Sequence, residues 1–131
     1  MINKFREHAK EENIIKEFEN PKLMAFLSVE RDKVEGFVVG YENDIRSAMI
    51  HYISAKSYEV KKELLGTFIK ECKLRKITKV ITDAFKFMDN NLFFKSQGFE
   101  LTKKEKLTIN LEMLWYGLKI ANLSFEKKKI L

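Results

Sequence analysis

The sequence is poor in the residues that stiffen or cross-link a chain. It has one proline, five glycines and one cysteine, Cys72, among 131 residues. A single cysteine cannot form an internal disulfide, and with only His8 and His51 beside it we expect no metal site. The low proline and glycine content, with 45% hydrophobic residues, excludes a collagen-like or disordered chain. We therefore expect a folded protein of a reducing, cytoplasmic compartment.

Long hydrophobic runs are also missing. A membrane span needs about 18 consecutive apolar residues, and the most apolar windows, residues 23–29 and 111–120, are shorter or interrupted. The first thirty residues mix charges with apolar side chains and lack the uninterrupted apolar segment of a signal peptide. The sequence thus predicts neither a membrane span nor a signal peptide.

The length fits a single domain. We expect an N-terminal helix within residues 1–21, ended by Pro21, a core over residues 22–120 and a tail over residues 121–131.

Positive charge is concentrated in the second half. Residues 1–57 carry nine Lys and Arg against ten Asp and Glu, whereas residues 58–131 carry sixteen against nine, for a net charge of +6. Such a bias favours a phosphate-bearing partner, either an anionic cofactor or a nucleic acid, although exposed lysines also serve solubility.

Three strands joined by short polar corners are predicted first. Residues 22–31 have apolar side chains at both alternating sets of positions, which is typical of a central strand. Residues 34–41 and 45–55 follow after corners of two or three polar residues. This arrangement predicts an antiparallel meander.

The apolar spacing then changes from two to three and four. From Val60 a stripe of apolar residues predicts a helix that packs on the sheet. A strand over residues 77–84 and a short helix, with Asp89 as N-cap and Gly98 at its end, come next. Residues 99–102 and 106–120 have strand character, with a break near Asn110. The fold class is therefore α+β, in α/β/α layers, with a mixed sheet built from an antiparallel meander and a strand–helix–strand crossover.

Two segments of the sequence resemble a known family. Residues 34–41 (VEGFVVGY) and 90–100 (NNLFFKSQGFE) are similar to motifs of the GNAT N-acetyltransferase superfamily, and residues 64–80 resemble its main helix and the following strand. The resemblance implies a GNAT-like fold and an acyl-CoA-dependent N-acyltransferase, with acetyl-CoA or another acyl-CoA as cofactor. It implies a site where the third strand and the strand after the main helix diverge, at a switch in strand order.

The resemblance also implies which residues bind the cofactor. The backbone of residues 50–54 would pair with the pantetheine arm, and residues 56–62 would form the pyrophosphate loop. The cofactor-binding residues implied are Ile50, Tyr52, Ile53, Ser54, Lys56, Lys61, Lys62, Asn90 and Phe94.

The sequence departs from the family pattern at two places. Lys56, Glu59 and Lys61 align with positions where an Arg or Gln and two glycines are usual, so the loop has no glycine. Phe94 stands where a tyrosine often protonates the leaving thiolate, and phenylalanine has no proton to give. These departures leave a catalytically silent binding or regulatory module as an alternative function.

Two residues are candidates for proton transfer. His51, late in the third strand, is the candidate general base, and its alternative role is that of a strand histidine satisfied by the backbone. Tyr58 is a candidate replacement acid, or else packs over the helix start. Strand alternation predicts that Tyr52 points to the face opposite His51 unless a bulge intervenes.

The expected partner is a small-molecule or peptide amine. A nucleic acid is a third and lower-ranked alternative, based on the basic second half. Residues 111–120, with Trp115 and Tyr116, either pair between chains in a homodimer or finish the sheet.

Overall fold

The computed structural model of the chain describes residues 18–43, 46–86 and 88–120. The predicted N-terminal helix lies outside these residues except for Phe18 and Glu19, which are helical, and the predicted tail lies wholly outside them. The elements, in chain order, are β1 (Leu23–Glu30), β2 (Lys33–Glu42), β3 (Ser47–Ala55), α1 (Tyr58–Leu74), β4 (Lys79–Phe85), α2 (Asn90–Ser96), β5 (Glu100–Thr108) and β6 (Leu111–Lys119).

The strands form one six-stranded sheet in the order β1-β2-β3-β4-β6-β5. The first three strands are an antiparallel meander, and β4 is parallel to β3, to which α1 connects it. The predicted α+β class, mixed sheet and crossover are confirmed. Within the described ranges, neither helix is long and apolar enough to cross a membrane.

The prediction of a central first strand is wrong. Among the described residues β1 pairs only with β2 and is an edge of the sheet. Met24 is buried under α1, whereas Leu27, on the other face, is 60% exposed. Apolar side chains at both alternating sets of positions therefore did not distinguish a central strand from an edge strand.

Helix α1 covers one face of the meander. Its apolar stripe, Leu64, Leu65, Phe68 and Cys72, is buried against β1, β2 and β3. Gly40 of β2 lies directly below Phe68, and a Cβ at residue 40 would come within 2.6 Å of the Phe68 ring. In β2, the residues directly before and after Gly40 point to the opposite face of the sheet, and so do the residues of β3 that pair with them.

Helix α2 is held at the end of β4 by a buried amide. Asn91 donates hydrogen bonds to the carbonyls of Phe85 and Met88 and accepts one from the Tyr116 hydroxyl at 2.9 Å. The helix ends as predicted at Gly98, which has a φ of +92°. Asp89 occupies the N-cap position, but its side chain makes no capping hydrogen bond.

The last two strands form a hairpin with a turn at residues 109–110, close to the predicted break. The predicted gap between residues 102 and 106 is absent, because β5 is continuous. Strand β6 has β4 on one edge and β5 on the other. It therefore belongs to the chain's own sheet, one strand in from the edge formed by β5, and neither of its own edges is free to pair with a second chain.

Candidate functional site

The parallel strands β3 and β4 diverge after four paired positions. Their register runs from Ser47 opposite Lys79 to Ile50 opposite Thr82, although β3 continues to Ala55 and β4 to Phe85. At the last position the Thr82 hydroxyl donates to the Ile50 carbonyl at 3.2 Å. This confirms the predicted divergence and leaves a gap in the sheet ahead of α1.

A β-bulge at His51 coincides with the divergence. Val39 of β2 pairs with Tyr52 and Gly40 pairs with Ile50, so His51 is the additional residue on β3. A bulge increases the local twist of its strand, which carries the end of β3 away from β4. It also places His51 and Tyr52, both exposed, on the face opposite α1, where the imidazole contacts the Tyr41 ring at 5.2 Å between centroids. Strand alternation predicted opposite faces for these two residues unless a bulge intervened, and the bulge is the case that the structure shows.

A cavity of about 520 Å³ fills the gap and is lined from both faces of the sheet. On the α1 face its wall includes Lys61, Asn90 and Phe94, and on the opposite face it includes His51 and Asp83. The remaining lining residues are Phe37, Ile50, Tyr52, Ile53, Ser54, Thr82, Ala84, Phe85, Met88, Asp89 and Met113. The cavity therefore joins the two faces through the sheet.

A lysine marks the α1 end of the cavity. The Lys61 ammonium donates to the Asn90 side-chain oxygen at 2.7 Å and lies 5.3 Å from the centre of the Phe93 ring. The Asn90 amide in turn donates a long bond, 3.5 Å, to the Ile53 carbonyl on β3. Burial lowers the pKa of Lys61, while the Asp89 carboxylate opposes that shift. Asn90 thus connects this ammonium to the backbone at the edge of the gap.

An aspartate that the sequence analysis did not single out lines the opposite end. Asp83 follows Thr82 on β4, and burial raises the pKa of its carboxyl group, whereas the charge of His51 lowers it in part. The signal available in the sequence was a carboxylate inside a strand that is otherwise mostly apolar, where an unpaired charge is costly.

The start of α1 differs from the predicted phosphate loop. Only Lys56 and Ser57 of residues 56–62 precede the helix. The Ser57 hydroxyl accepts the Val60 N–H at 3.2 Å, and the Glu59 carboxylate lies in the first turn. Lys56 forms an ion pair with Glu35 of β2. This helix N-terminus therefore offers fewer free N–H groups and less positive charge than a phosphate site does.

Tyr58 links the two helices. Its hydroxyl lies 3.2 Å from the Ser96 hydroxyl and accepts a hydrogen bond from the Gln97 side chain at 2.9 Å. Its ring packs edge-on against Phe93. These contacts correspond to the packing role that was the alternative for Tyr58.

The structure brings together most of the predicted site residues. Eight of them line the cavity: Ile50, His51, Tyr52, Ile53, Ser54, Lys61, Asn90 and Phe94. Lys56, Tyr58 and Lys62 do not belong to its wall. Phe94 lies there with its ring almost fully buried, against Phe93, Phe99 and Tyr116.

Comparison with solved structures identifies the fold. A protein from Bacillus anthracis assigned as a streptothricin acetyltransferase, solved in complex with acetyl coenzyme A, superposes with a TM-score of 0.73 at 14% identity, covering 81% of this chain and 67% of the other. The ribosomal-protein-S18-alanine N-acetyltransferase of Escherichia coli gives 0.70 at 14% identity, covering 88% and 80%. The aminoglycoside 6′-N-acetyltransferase of Enterococcus faecium gives 0.74 at 12% identity, covering 86% and 81%.

This chain therefore has the fold of the GNAT-family acetyltransferases. No protein-family model matches it, and no curated protein matches it in sequence. At these identities the similarity establishes the architecture, and the chemistry has to be argued from the cavity.

Proposed function

We propose that this protein transfers an acyl group, with acetyl as the first candidate, from coenzyme A to an amine. The observation that carries the proposal is the gap between β3 and β4, which joins the two faces of the sheet in one cavity. A transfer between two substrates needs both to reach a common point, and a passage through the sheet lets them approach from opposite faces.

The chain fits the acyl and pantetheine part of such a cofactor. Strand β3 beyond Ile50 has lost its β4 partner, so its backbone can pair with the amides of an extended arm. The Ile53 carbonyl, held only loosely by Asn90, is suited to accept an N–H from that arm. Lys61 is the cation placed to meet the anionic end of the cofactor.

The residues at the start of α1 fit the phosphates less well. Ser57 already uses the Val60 N–H, and Glu59 brings negative charge to the first turn. We therefore assign most of the binding of the cofactor's negative charge to Lys61, and not to backbone N–H groups. The cofactor supplies the thioester, and His51 is positioned to accept a proton from the acceptor amine.

The test is incubation of the full chain with acetyl-CoA and a panel of amines. The panel contains a polyamine, an aminoglycoside and a peptide with an N-terminal alanine, and acetylated products are detected by mass spectrometry. We expect turnover with at least one amine. As a matched pair, Ser54→Trp should fill the cavity and abolish acetyl-CoA binding, whereas Thr108→Trp, at an exposed position of β5, should not.

A second function, a catalytically silent binding module, is favoured by Glu59 and Phe94. The first opposes phosphate binding, and the second cannot protonate a thiolate. Calorimetry with acetyl-CoA separates the two functions. Linkage predicts about 2.7 kcal/mol of stabilisation at a cofactor concentration one hundred times the Kd. No stabilisation and no product with any panel member would reject the enzyme in favour of the module.

A further inference from the structure

We propose that Asp83 is a positioning residue whose carboxylate charge stabilises the protonated form of His51 while His51 accepts the proton of the acceptor amine. The inference rests on the proposed function and names the second member of its proton-transfer pair. It concerns two residues on different strands that only the divergence of β3 and β4 brings to one cavity.

The two residues each lie one step beyond the last paired position of the parallel strands. Ile50 and Thr82 form the last paired position, and His51 and Asp83 are the next residues on the two strands. His51 points to the face opposite α1, because it follows Ile50, which is buried on the α1 face. Asp83 points to that face as well, because it alternates with the buried residues Thr82 and Ala84. Both side chains line the cavity from that side.

The positive charge that acts on Asp83 is that of His51. In the part of the chain that the structure describes, neither a Lys or Arg nor the His51 imidazole lies within ion-pair distance of Asp83, so the two groups act on each other through the cavity and not through a direct contact. The other charge that acts on it is Glu105 of β5, whose like sign opposes ionisation of the Asp83 carboxyl. A half-buried carboxylate needs a compensating charge, and an imidazole that gains a proton during the reaction supplies one.

Acyl transfer delivers one proton to His51 and one to the departing thiolate. The amine nitrogen attacks the thioester carbonyl, forming the C–N bond, and its proton passes to His51. The C–S bond breaks, and the thiolate leaves as an anion that takes a proton from solvent, since Phe94 has none to give. The Asp83 carboxylate stabilises the imidazolium of His51 until the proton taken from the amine passes from the imidazolium to water.

The physical pairing is tested without any substrate. Carbon-13 NMR of the Asp83 carboxyl group gives its pKa in the wild-type chain and in His51→Gln. The charge of His51 lowers the pKa of the Asp83 carboxyl group, so its loss should raise that pKa. Glu105→Gln is the matched control and should lower it. An Asp83 pKa unchanged in His51→Gln overturns the pairing, whatever the activity shows.

The catalytic use of the pair is tested by a double-mutant cycle on acetylation. We expect His51→Gln to lower kcat on the order of 100-fold and Asp83→Asn to lower it about tenfold, with the KM for acetyl-CoA unchanged. If Asp83 acts through His51, adding Asp83→Asn to His51→Gln costs nothing further. Asp83→Glu should recover part of the loss, and Glu105→Gln should keep kcat within about twofold of wild type.

The double-mutant cycle and the wild-type turnover assay test different parts of the proposal. Additive losses in the cycle overturn the role of Asp83 but leave the enzyme intact. Absence of turnover by the wild-type chain, with the NMR coupling present, overturns the proposed function and with it the catalytic use of the pair.

Discussion

The Thr82 hydroxyl donates a hydrogen bond to the Ile50 carbonyl at 3.2 Å, across the last paired position of β3 and β4. A similar bond, from the Thr78 hydroxyl to the Arg46 carbonyl at 3.3 Å, lies at the other end of the same ladder. The short parallel ladder is thus bounded by two threonines, and the cavity begins where the second one ends it.

Thr82→Val should lower the free energy of unfolding by about 1–2 kcal/mol, because it leaves a buried carbonyl without its donor in a side chain of nearly the same shape. Thr78→Val is the matched control. It removes the same kind of bond at an exposed position, where water can replace the donor, and should cost about 0.5 kcal/mol or less. Urea denaturation measures both, and equal losses would contradict this account of the ladder's end.

Gly40→Ala should destabilise the protein by about 1–3 kcal/mol, because a Cβ there overlaps both the Met49 carbonyl of β3 and the ring of fully buried Phe68. Gly66→Ala, inside α1 with open space around it, is the opposite case. It should stabilise by about 0.5–1 kcal/mol through helix propensity. Thermal unfolding of the two variants compares them directly, and a stable Gly40→Ala would mean that neither β3 nor α1 approaches residue 40 this closely.

The stability of the protein should carry a pH dependence from Asp83. Since burial raises the pKa of this carboxyl in the folded state, the folded chain holds the proton more tightly than the unfolded chain. The stability that Asp83 contributes is therefore greatest below its ordinary pKa, 3.8, and is lost as the pH rises through the folded value.

Asp83→Asn should remove the loss of stability that occurs as the pH rises. It should be more stable than wild type at pH 7, with the difference vanishing below pH 3.8. Urea midpoints measured from pH 3 to pH 7 test the trend. A stability difference between Asp83→Asn and wild type that grows toward low pH would refute the assigned sign.

Lys61→Met should weaken acetyl-CoA binding about tenfold, because it keeps the apolar stem and removes one charge-assisted contact. Lys70→Met, on the exposed side of the same helix, should bind as wild type does. Titration calorimetry of both variants at one salt concentration gives the comparison. Equal Kd values would mean that the Lys61 ammonium has no part in cofactor recognition.

Cys72 should be inert to thiol reagents in the folded protein. Its side chain is fully buried on the apolar stripe of α1, and burial raises the pKa of the thiol to about 12, so almost no thiolate is present at pH 8. Dithionitrobenzoate should report less than one thiol per chain in buffer and one in concentrated guanidinium. The same inertness lets the reagent detect free coenzyme A during turnover without a background from the protein.

Much of the architecture could be predicted from local pattern. The three-and-four spacing from Val60 predicted α1, and polar corners between apolar runs predicted the meander. Gly98 was identified as the end of α2, which its positive φ confirms. Each of these features is decided within a few residues, by side-chain period or by a backbone conformation that favours glycine.

The site required the tertiary structure. The sequence indicated His51 but could not decide whether Tyr52 shares its face, because a bulge depends on how two strands pair and cannot be recognised in either strand alone. Asp83 was missed for the same reason, since its role depends on a neighbour 32 positions earlier in the chain. The pairing of strands that are far apart in the sequence decided where the sheet opens. The residue types in those strands determined which chemical groups could line the opening.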